Sequence, residues 1–263
     1  MGSQLTLGVD THLDVHVAAL LDERGALLGV ESFDTTPDGY RNLLGWASEH
    51  GEVVLAGVEG TGSYGAGLTR HLHAEGVKVL EVDRPNRQRR RRRGKSDPQD
   101  AITAARAAQS GDAQGEAKTR DGNVEAMRVL RVARSSARKS RTQALNQMRS
   151  IVSTAPDQIR SELRDLNVYR LLERASAYRP GARRDVASFT KLSLRTLARR
   201  ALALEAEIAD IDAILKELVA DTAPELVARV GIGVDSATAL LVAAGDNPGR
   251  LRNEATFAHL CGV

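Results

Sequence analysis

Aromatic side chains and cysteine are both scarce in this sequence. Phenylalanine, tryptophan and tyrosine make up only 3% of the 263 residues, which argues against a platform of stacked rings for single-stranded nucleic acid. Because Cys261 is the only cysteine, no disulfide can form within the chain, and no cysteine-based zinc motif exists. A reducing cytoplasm is the expected environment.

Long apolar segments are also missing. The N-terminus lacks a charged region followed by an apolar one, so no signal peptide is indicated. The longest apolar runs, such as residues 237–244, are too short to cross a bilayer. The sequence therefore predicts a soluble cytoplasmic protein.

Positive charge, by contrast, is present and concentrated. The 37 basic residues outnumber the 34 acidic ones by only three, yet the pI is near 9.2, and many basic residues fall between Arg84 and Arg149. Most of them are arginine, which binds phosphate in a planar, bidentate way, so a nucleic acid is the expected partner. A GC-rich genome would explain arginine in place of lysine, but it would not explain the clustering.

The order of predicted strands and helices indicates the fold class. Strands are predicted at residues 5–10, 15–21, 26–33, 53–58 and 77–82. Hairpin-type turns join the first three strands, and helices separate the later ones. This order is typical of a ribonuclease H-like α/β domain with a mixed sheet. A mostly helical region follows from residue 123.

Four acidic residues fall at the ends of these elements. Asp10 ends the first strand, Glu59 ends the fourth, and Asp97 and Asp100 open the helix after the fifth. In this topology the ends of the first and fourth strands lie side by side, so the four carboxylates converge. Such a cluster predicts a site for a hard cation, because oxygen donors suit Mg²⁺ better than thiolate or imidazole ligands do.

Simpler interpretations exist for the same residues. Aspartate is common in turns and at helix starts, where it complements the helix dipole. His12 and His16, with Asp14, would share the Asp10 face if the strand continued, which would allow a zinc site. A turn near Leu13 would break that alternation.

Basic residues form two groups, an arginine run before Asp97 and a basic surface on the helix predicted at residues 123–152. Both predict contact with phosphate, although a solvated surface is the alternative for the helix. The predicted nucleic-acid-binding residues are Arg84, Arg87, Arg89, Arg90, Arg91, Arg92, Arg93, Lys95, Arg131, Arg134, Arg138 and Arg141.

A heptad seam is predicted between residues 194 and 218, because its apolar residues recur at intervals of three and four. They are Leu194, Leu197, Ala201, Leu204, Ile208, Ile211, Leu215 and Leu218. The seam can pair with a second copy or with an internal helix, and we favour a dimer. After Pro224, the segment Gly231-Ile232-Gly233 between two helical stretches resembles a helix-hairpin-helix, although Gly-x-Gly also ends ordinary helices.

Three motifs together resemble a known family. Residues 8–10 (Gly-Val-Asp), 57–62 (Gly-Val-Glu-Gly-Thr-Gly) and 95–101 (Lys-Ser-Asp-Pro-Gln-Asp-Ala) are similar to the DEDD-type insertion-sequence transposases. That family includes the pilin-gene-inverting and the bridge-RNA-guided recombinases. Residues 231–233 and 257–263 resemble the family's second domain.

The resemblance implies three regions: a RuvC-like metal-binding domain at residues 1–112, a basic helical and coiled-coil region at 113–223, and an incomplete transposase domain at 224–263. The implied catalytic residues and metal ligands are Asp10, Glu59, Asp97 and Asp100, with Mg²⁺ as the cofactor and Mn²⁺ as an alternative. The implied activity is DNA strand cleavage and exchange in transposition.

The implied partners are DNA, a structured guide RNA and further copies of the chain in a dimer or tetramer, in the bacterial nucleoid. In this family a serine of the second domain is thought to form a covalent bond with DNA. Because the sequence ends at Val263 before such a serine, we expect an incomplete active site and assign no nucleophile. The alternatives are a fragment that only binds nucleic acid, and an actin- or sugar-kinase-like ATPase with residues 57–62 as its phosphate loop.

Overall fold

The computed structural model describes residues 3–82, 96–113, 115–181, 184–247, 249, 251 and 253–262. The chain forms two compact units, one made of Met1–Glu125 with Leu241–Val263 and the other of Ala126–Leu240. The arginine run and its basic neighbours between residues 84 and 95 lie outside the described residues, so their nucleic-acid-binding role stays a prediction. The three-region division at residues 112 and 223 also stays a prediction.

A five-stranded mixed sheet is the centre of the first unit. Its strands are β1 (Gln4–Thr11), β2 (Val15–Leu21), β3 (Leu27–Asp34), β4 (Glu52–Glu59) and β5 (Lys78–Val82), in the lateral order β3-β2-β1-β4-β5. The pairs β1–β2 and β2–β3 are antiparallel, and the pairs β1–β4 and β4–β5 are parallel. The predicted fold class, a RuvC-like α/β domain followed by helices, is confirmed.

Helices cover both faces of this sheet. They are α1 (Pro37–Ser48), α2 (Ala66–Ala74) and α3 (Asp97–Ser110). The Thr36 side chain caps α1 by accepting a hydrogen bond from the Gly39 backbone N–H. One face packs its apolar residues into a core with α1 and α2, which includes Leu7, Val58 and Leu43. The opposite face carries α3.

Helix α3 packs very closely on β1 and β4 because both strands place a glycine beneath it. A Cβ atom at Gly8 would lie 2.2 Å from the Ala101 carbonyl oxygen and 2.2 Å from the Ala105 backbone nitrogen. A Cβ atom at Gly57 would lie 2.4 Å from the Ala104 carbonyl oxygen. The helix places buried alanines against these glycines. Small residues on both sides therefore set the distance between helix and sheet.

His16 lies on the sheet face opposite to Asp10. It pairs with Thr11 across β1 and β2, is fully buried, and stacks on Tyr40 with ring centroids 5.8 Å apart. Asp14 is exposed in the turn between the strands. The zinc site considered for His12, His16 and Asp14 is therefore wrong, because the turn separates the three side chains.

Acidification should weaken the protein between about pH 6.5 and pH 4 through His16. Desolvation, with a smaller contribution from His12, lowers the pKa of His16 from 6.5 to about 4. The unfolded chain therefore binds more protons than the folded one in this window, so the free energy of unfolding falls as the pH falls. The largest possible loss is about 3 kcal/mol.

Urea denaturation at a series of pH values measures this loss. His16→Phe keeps a ring against Tyr40 and should flatten the curve between pH 6.5 and 4, whereas His50→Phe, at an exposed histidine, should leave it unchanged. A His16→Phe curve as steep as that of the wild type would contradict the assignment.

The C-terminal part of the first unit is hydrogen-bonded to the segment before residue 125. Asp246 Oδ1 accepts from the Val124 backbone N–H at 2.9 Å. Asn247 accepts from the Thr119 backbone N–H at 3.1 Å and donates to the Ala117 carbonyl oxygen at 2.8 Å. These side chains satisfy backbone groups that no strand or helix satisfies, and they explain why residues 241–247 belong with the N-terminal unit.

Helices form the second unit and also the C-terminal part of the first unit. The helices of the remaining chain are α4 (Asn123–Thr154), α5 (Asp157–Leu163), α6 (Val168–Ser176), α7 (Val186–Thr222), α8 (Pro224–Val227), α9 (Val234–Ala244) and α10 (Glu254–Cys261). Ion pairs show that α4 and α7 run antiparallel, since Arg141 bonds Glu205 at 3.1 Å and Arg134 pairs with Asp212 seven positions along each helix. Among the described residues, no helix combines the length and apolar character needed to cross a membrane.

The chain itself covers part of the predicted heptad seam on α7. Leu194 and Ala201 belong to a core cluster with residues of α4, α5 and α6, such as Met148 and Leu172. Four seam positions are only partly buried. They are Leu197, Leu204, Ile208 and Leu218. Internal helices therefore occupy half of the seam, and its use for dimerisation stays a prediction.

Candidate metal centre

Asp10 and Glu59 lie side by side at the ends of β1 and β4. The register pairs Val9 with Val58, so each acid is the next residue on its strand. Both are buried, with exposed fractions of 4% and 3%. The Thr11 hydroxyl donates to the Glu59 carbonyl oxygen at 2.8 Å, which ties the two strand ends together. Two buried carboxylates in this position need compensation by cations or hydrogen-bond donors.

The start of α3 supplies the other two acids. Ser96 is the N-cap with an extended backbone, and Pro98 lies in the first turn together with Asp97 and Asp100. This agrees with the helix start expected from the sequence, because proline and acidic residues both favour a first turn. Since α3 packs on Gly8 and Gly57, its first turn reaches the edge of the sheet where β1 and β4 end.

His12 joins Asp10 and Asp97 at this edge. Its Nε2 atom lies 3.2 Å from Asp10 Oδ2 and 3.5 Å from Asp97 Oδ2. The three donor atoms all lie within 4.8 Å of one another, which makes them a group that could hold a metal ion. In the described part of the chain, neither Glu59 nor Asp100 belongs to this group of three. The structure thus brings two of the four predicted acids into close contact with a histidine.

Sequence reasoning missed this role of His12. It associated His12 with His16 and Asp14, whereas the structure places its ring between Asp10 and Asp97. A signal was present, because His12 follows Asp10 by two residues and alternate residues of an extended chain point to the same side. Its proximity to Asp97, however, depends on where α3 begins relative to the strand ends.

The donor set fits a divalent cation. Two carboxylate oxygens and one imidazole nitrogen are common ligands for such ions. Asp10 is buried, whereas the side chains of His12 and Asp97 are 38% and 42% exposed. The site is therefore open on one side, where water or phosphate oxygens can complete the coordination of a bound ion.

Arg120 brings a positive charge to the loop that follows Glu59. Its guanidinium Nη2 lies 2.9 Å from the point where a Cβ atom of Gly62 would be, and Nη1 lies 3.5 Å from Glu125. Among the described non-glycine residues, only Arg120 has a positive φ, of 55°. No sequence motif marks this residue, since the loop that positions it lies about sixty residues away in the chain.

The predicted phosphate-binding arginines of α4 differ in their surroundings. Arg141 pairs with Glu205 and Arg134 with Asp212 and Asp235. Desolvation lowers the pKa of Arg134, but its hydrogen bonds to the two aspartates raise it above the usual value. Arg138 is exposed, with its Nη1 3.6 Å from Asp235. Arg138 is thus better placed to meet a phosphate than Arg134 or Arg141.

Comparison with known proteins identifies a family. A family model for IS110-type DEDD transposases, described as "Transposase", matches residues 7–156. The match covers more than half of the chain and includes Asp10, Glu59, Asp97 and Asp100. No curated protein matches the sequence.

Proposed function

This chain belongs to the IS110-type DEDD transposase family, and we propose that it cleaves and exchanges DNA strands with the help of a divalent cation. The family membership confirms the resemblance drawn from the three motifs. It also makes the protein a member of a DNA-recombining enzyme family. The proposal adds the chemistry, the residues and the partners.

One observation carries the proposal: Asp10 and Glu59 end adjacent parallel strands, and Asp97 is close to Asp10. We propose Asp10, Glu59, Asp97 and Asp100 as the catalytic and metal-binding residues, with Mg²⁺ or Mn²⁺ as the cofactor. These residues would hold a divalent cation, which would supply charge stabilisation on the nonbridging phosphate oxygens and orient the attacking oxygen. Asp10, buried at the centre, holds its carboxylate in place, and the exposed side of Asp97 faces the space open to DNA.

The proposed partners are DNA and a structured guide RNA. Support comes from the arginine-rich region between residues 84 and 149 and from the exposed Arg138 of α4. Arginines that contact phosphates fix the position of the nucleic-acid backbone. Assembly into a dimer or tetramer is also part of the proposal, and the partly exposed residues of the α7 seam support it.

The ATPase alternative has less support. It requires the backbone at residues 57–62 to be open to a nucleotide phosphate, but Gly57 packs against the backbone of α3. The family match names a transposase and spans this loop. The other alternative, a fragment that only binds nucleic acid, would bind through the same arginines as a transposase. It would not need the metal centre.

Binding to branched DNA or structured RNA should weaken steeply with salt, because the arginines displace counterions from phosphate. Replacing the five arginines at residues 89–93 by serine should reduce the magnitude of the slope of log affinity against log salt by up to about 4. The measurement is fluorescence anisotropy between 50 and 200 mM salt, in the range where this effect is large.

Arg164→Ser combined with Arg170→Ser is the matched control, because both arginines are exposed in the second unit. This control should leave the slope nearly unchanged. A slope that is equal in the wild type and in the residue 89–93 variant would exclude the arginine run from the interface.

A further inference from the structure

The donor set at the metal centre contains a group that a magnesium site does not require. Mg²⁺ takes oxygen ligands and keeps several waters, whereas the His12 ring offers a nitrogen to the same space as Asp10 and Asp97. Nε2 lies 3.2 Å from Asp10 Oδ2 and 3.5 Å from Asp97 Oδ2, and the three donor atoms lie within 4.8 Å of one another. The presence of this nitrogen donor therefore affects which metal ion the centre binds most tightly.

The orientation of the ring favours a ligand over a surface histidine. Although more than a third of the His12 side chain is exposed, its Nε2 atom is buried. The ring thus directs Nε2 to the two carboxylates while another part of the side chain is exposed.

The backbone around His12 is held in place by Thr35, the residue that follows β3. The Thr35 hydroxyl donates to the His12 carbonyl oxygen at 3.3 Å, and the Thr35 backbone N–H donates to the Asp14 carbonyl oxygen at 2.9 Å. The short turn between β1 and β2 is therefore attached to the segment that directly follows the third strand. A ligand on such a fixed turn needs little rearrangement to bind an ion.

We propose that His12 Nε2 is a direct ligand of the divalent cation and that it makes the centre select a transition-metal ion such as Mn²⁺ over Mg²⁺. This inference rests on the proposed metal-dependent function. Its chemical basis is that first-row transition-metal ions accept imidazole nitrogen, whereas Mg²⁺ is a hard ion that favours oxygen. The two acids alone would provide a weaker preference, because carboxylate oxygen suits both ions.

Calorimetric titration of the full chain with Mn²⁺ and with Mg²⁺ tests the selectivity. The wild type should bind Mn²⁺ at least about tenfold more tightly than Mg²⁺. His12→Gln should weaken Mn²⁺ binding by roughly tenfold, the lower end of what changes around metal sites cost, and leave Mg²⁺ binding within about threefold. His12→Asp, which replaces the nitrogen donor by an oxygen donor, should reduce the ratio of Mn²⁺ affinity to Mg²⁺ affinity. His50→Gln, at an exposed histidine of the same unit, should behave as the wild type.

Pulsed electron paramagnetic resonance of the Mn²⁺-loaded wild type gives a readout that needs no variant. Nitrogen coupling from a bound imidazole should be present in the wild type and in His50→Gln, and absent in His12→Gln. Wild-type Mn²⁺ without nitrogen coupling would overturn the inference. An equal loss of Mg²⁺ and Mn²⁺ affinity in His12→Gln would also overturn it, because His12 would then only position the acids. No binding of either ion to the wild type would instead overturn the proposed function.

Discussion

Asp10→Asn should abolish the stabilisation that Mg²⁺ or Mn²⁺ gives to the wild type while making the metal-free protein more stable. Asp10 is buried beside Glu59 at the ends of adjacent strands, so removing its charge relieves repulsion between the two acids. The same change removes the central ligand. At a metal concentration one hundred times Kd, binding contributes about 2.7 kcal/mol, which corresponds to roughly 5 to 10 °C in Tm for a chain of this size.

Differential scanning calorimetry with and without each ion measures both parts of this expectation. Asp14→Asn is the matched control, because Asp14 is an exposed acid in the neighbouring turn. It should keep the full metal-dependent increase in Tm. An increase of equal size in Asp10→Asn and in the wild type would exclude Asp10 as a ligand.

Gly8→Ala should strongly destabilise the first unit. The new Cβ atom would lie 2.2 Å from two backbone atoms of α3, and backbone atoms cannot turn away as a flexible side chain can. Overpacking of this kind costs about 3 kcal/mol or more. Because α3 would have to move away from β1, Asp97 would move away from Asp10, and the metal-dependent increase in Tm should also shrink.

Gly45→Ala provides the comparison for this change. Gly45 lies within α1, and a Cβ atom there would meet nothing within 4 Å. Alanine in a helix is favoured over glycine, so this variant should gain about 0.5 to 1 kcal/mol. Urea denaturation followed by circular dichroism separates the two outcomes. Wild-type stability in Gly8→Ala would contradict the close packing of α3 on the sheet.

The strands and helices of the first unit were predictable because their signals are local. Alternating and continuous apolar runs predict β1 and β4, and the Thr36-Pro37-Asp38 and Ser96-Asp97-Pro98 segments predict the starts of α1 and α3. The order of these elements leaves few topologies for the sheet, since parallel strands need a crossover and neighbouring strands of a hairpin pair directly. The α/β fold class followed from that order.

The candidate site was only partly predictable. Topology placed Asp10 beside Glu59, but it did not specify which of the acids on α3 comes closest to Asp10. That depends on how deeply α3 sits on Gly8 and Gly57, which the sequence shows only as two glycines in strands. The turn between β1 and β2 places His12 near Asp97 and places His16 on the opposite face of the sheet.

The heptad seam shows the same division in the second unit. Its period predicts that one face of α7 is apolar, because the positions of side chains around a helix follow from the sequence. Whether Leu194 and Ala201 meet another copy or the chain's own helices depends on contacts between residues distant in sequence. These contacts also partly bury Arg134 and Arg141 against acids, whereas Arg138, 3.6 Å from Asp235, stays exposed.

The sequence by itself determined the order of elements, the acids that end them and the family to which the chain belongs. These properties depend on residue type and spacing along the chain. Only the tertiary structure decided that Asp97 and His12 share a site with Asp10, because the distance between a helix start and a turn far away in sequence depends on packing. The two acids that open α3 therefore belong to a centre that also contains a nitrogen donor.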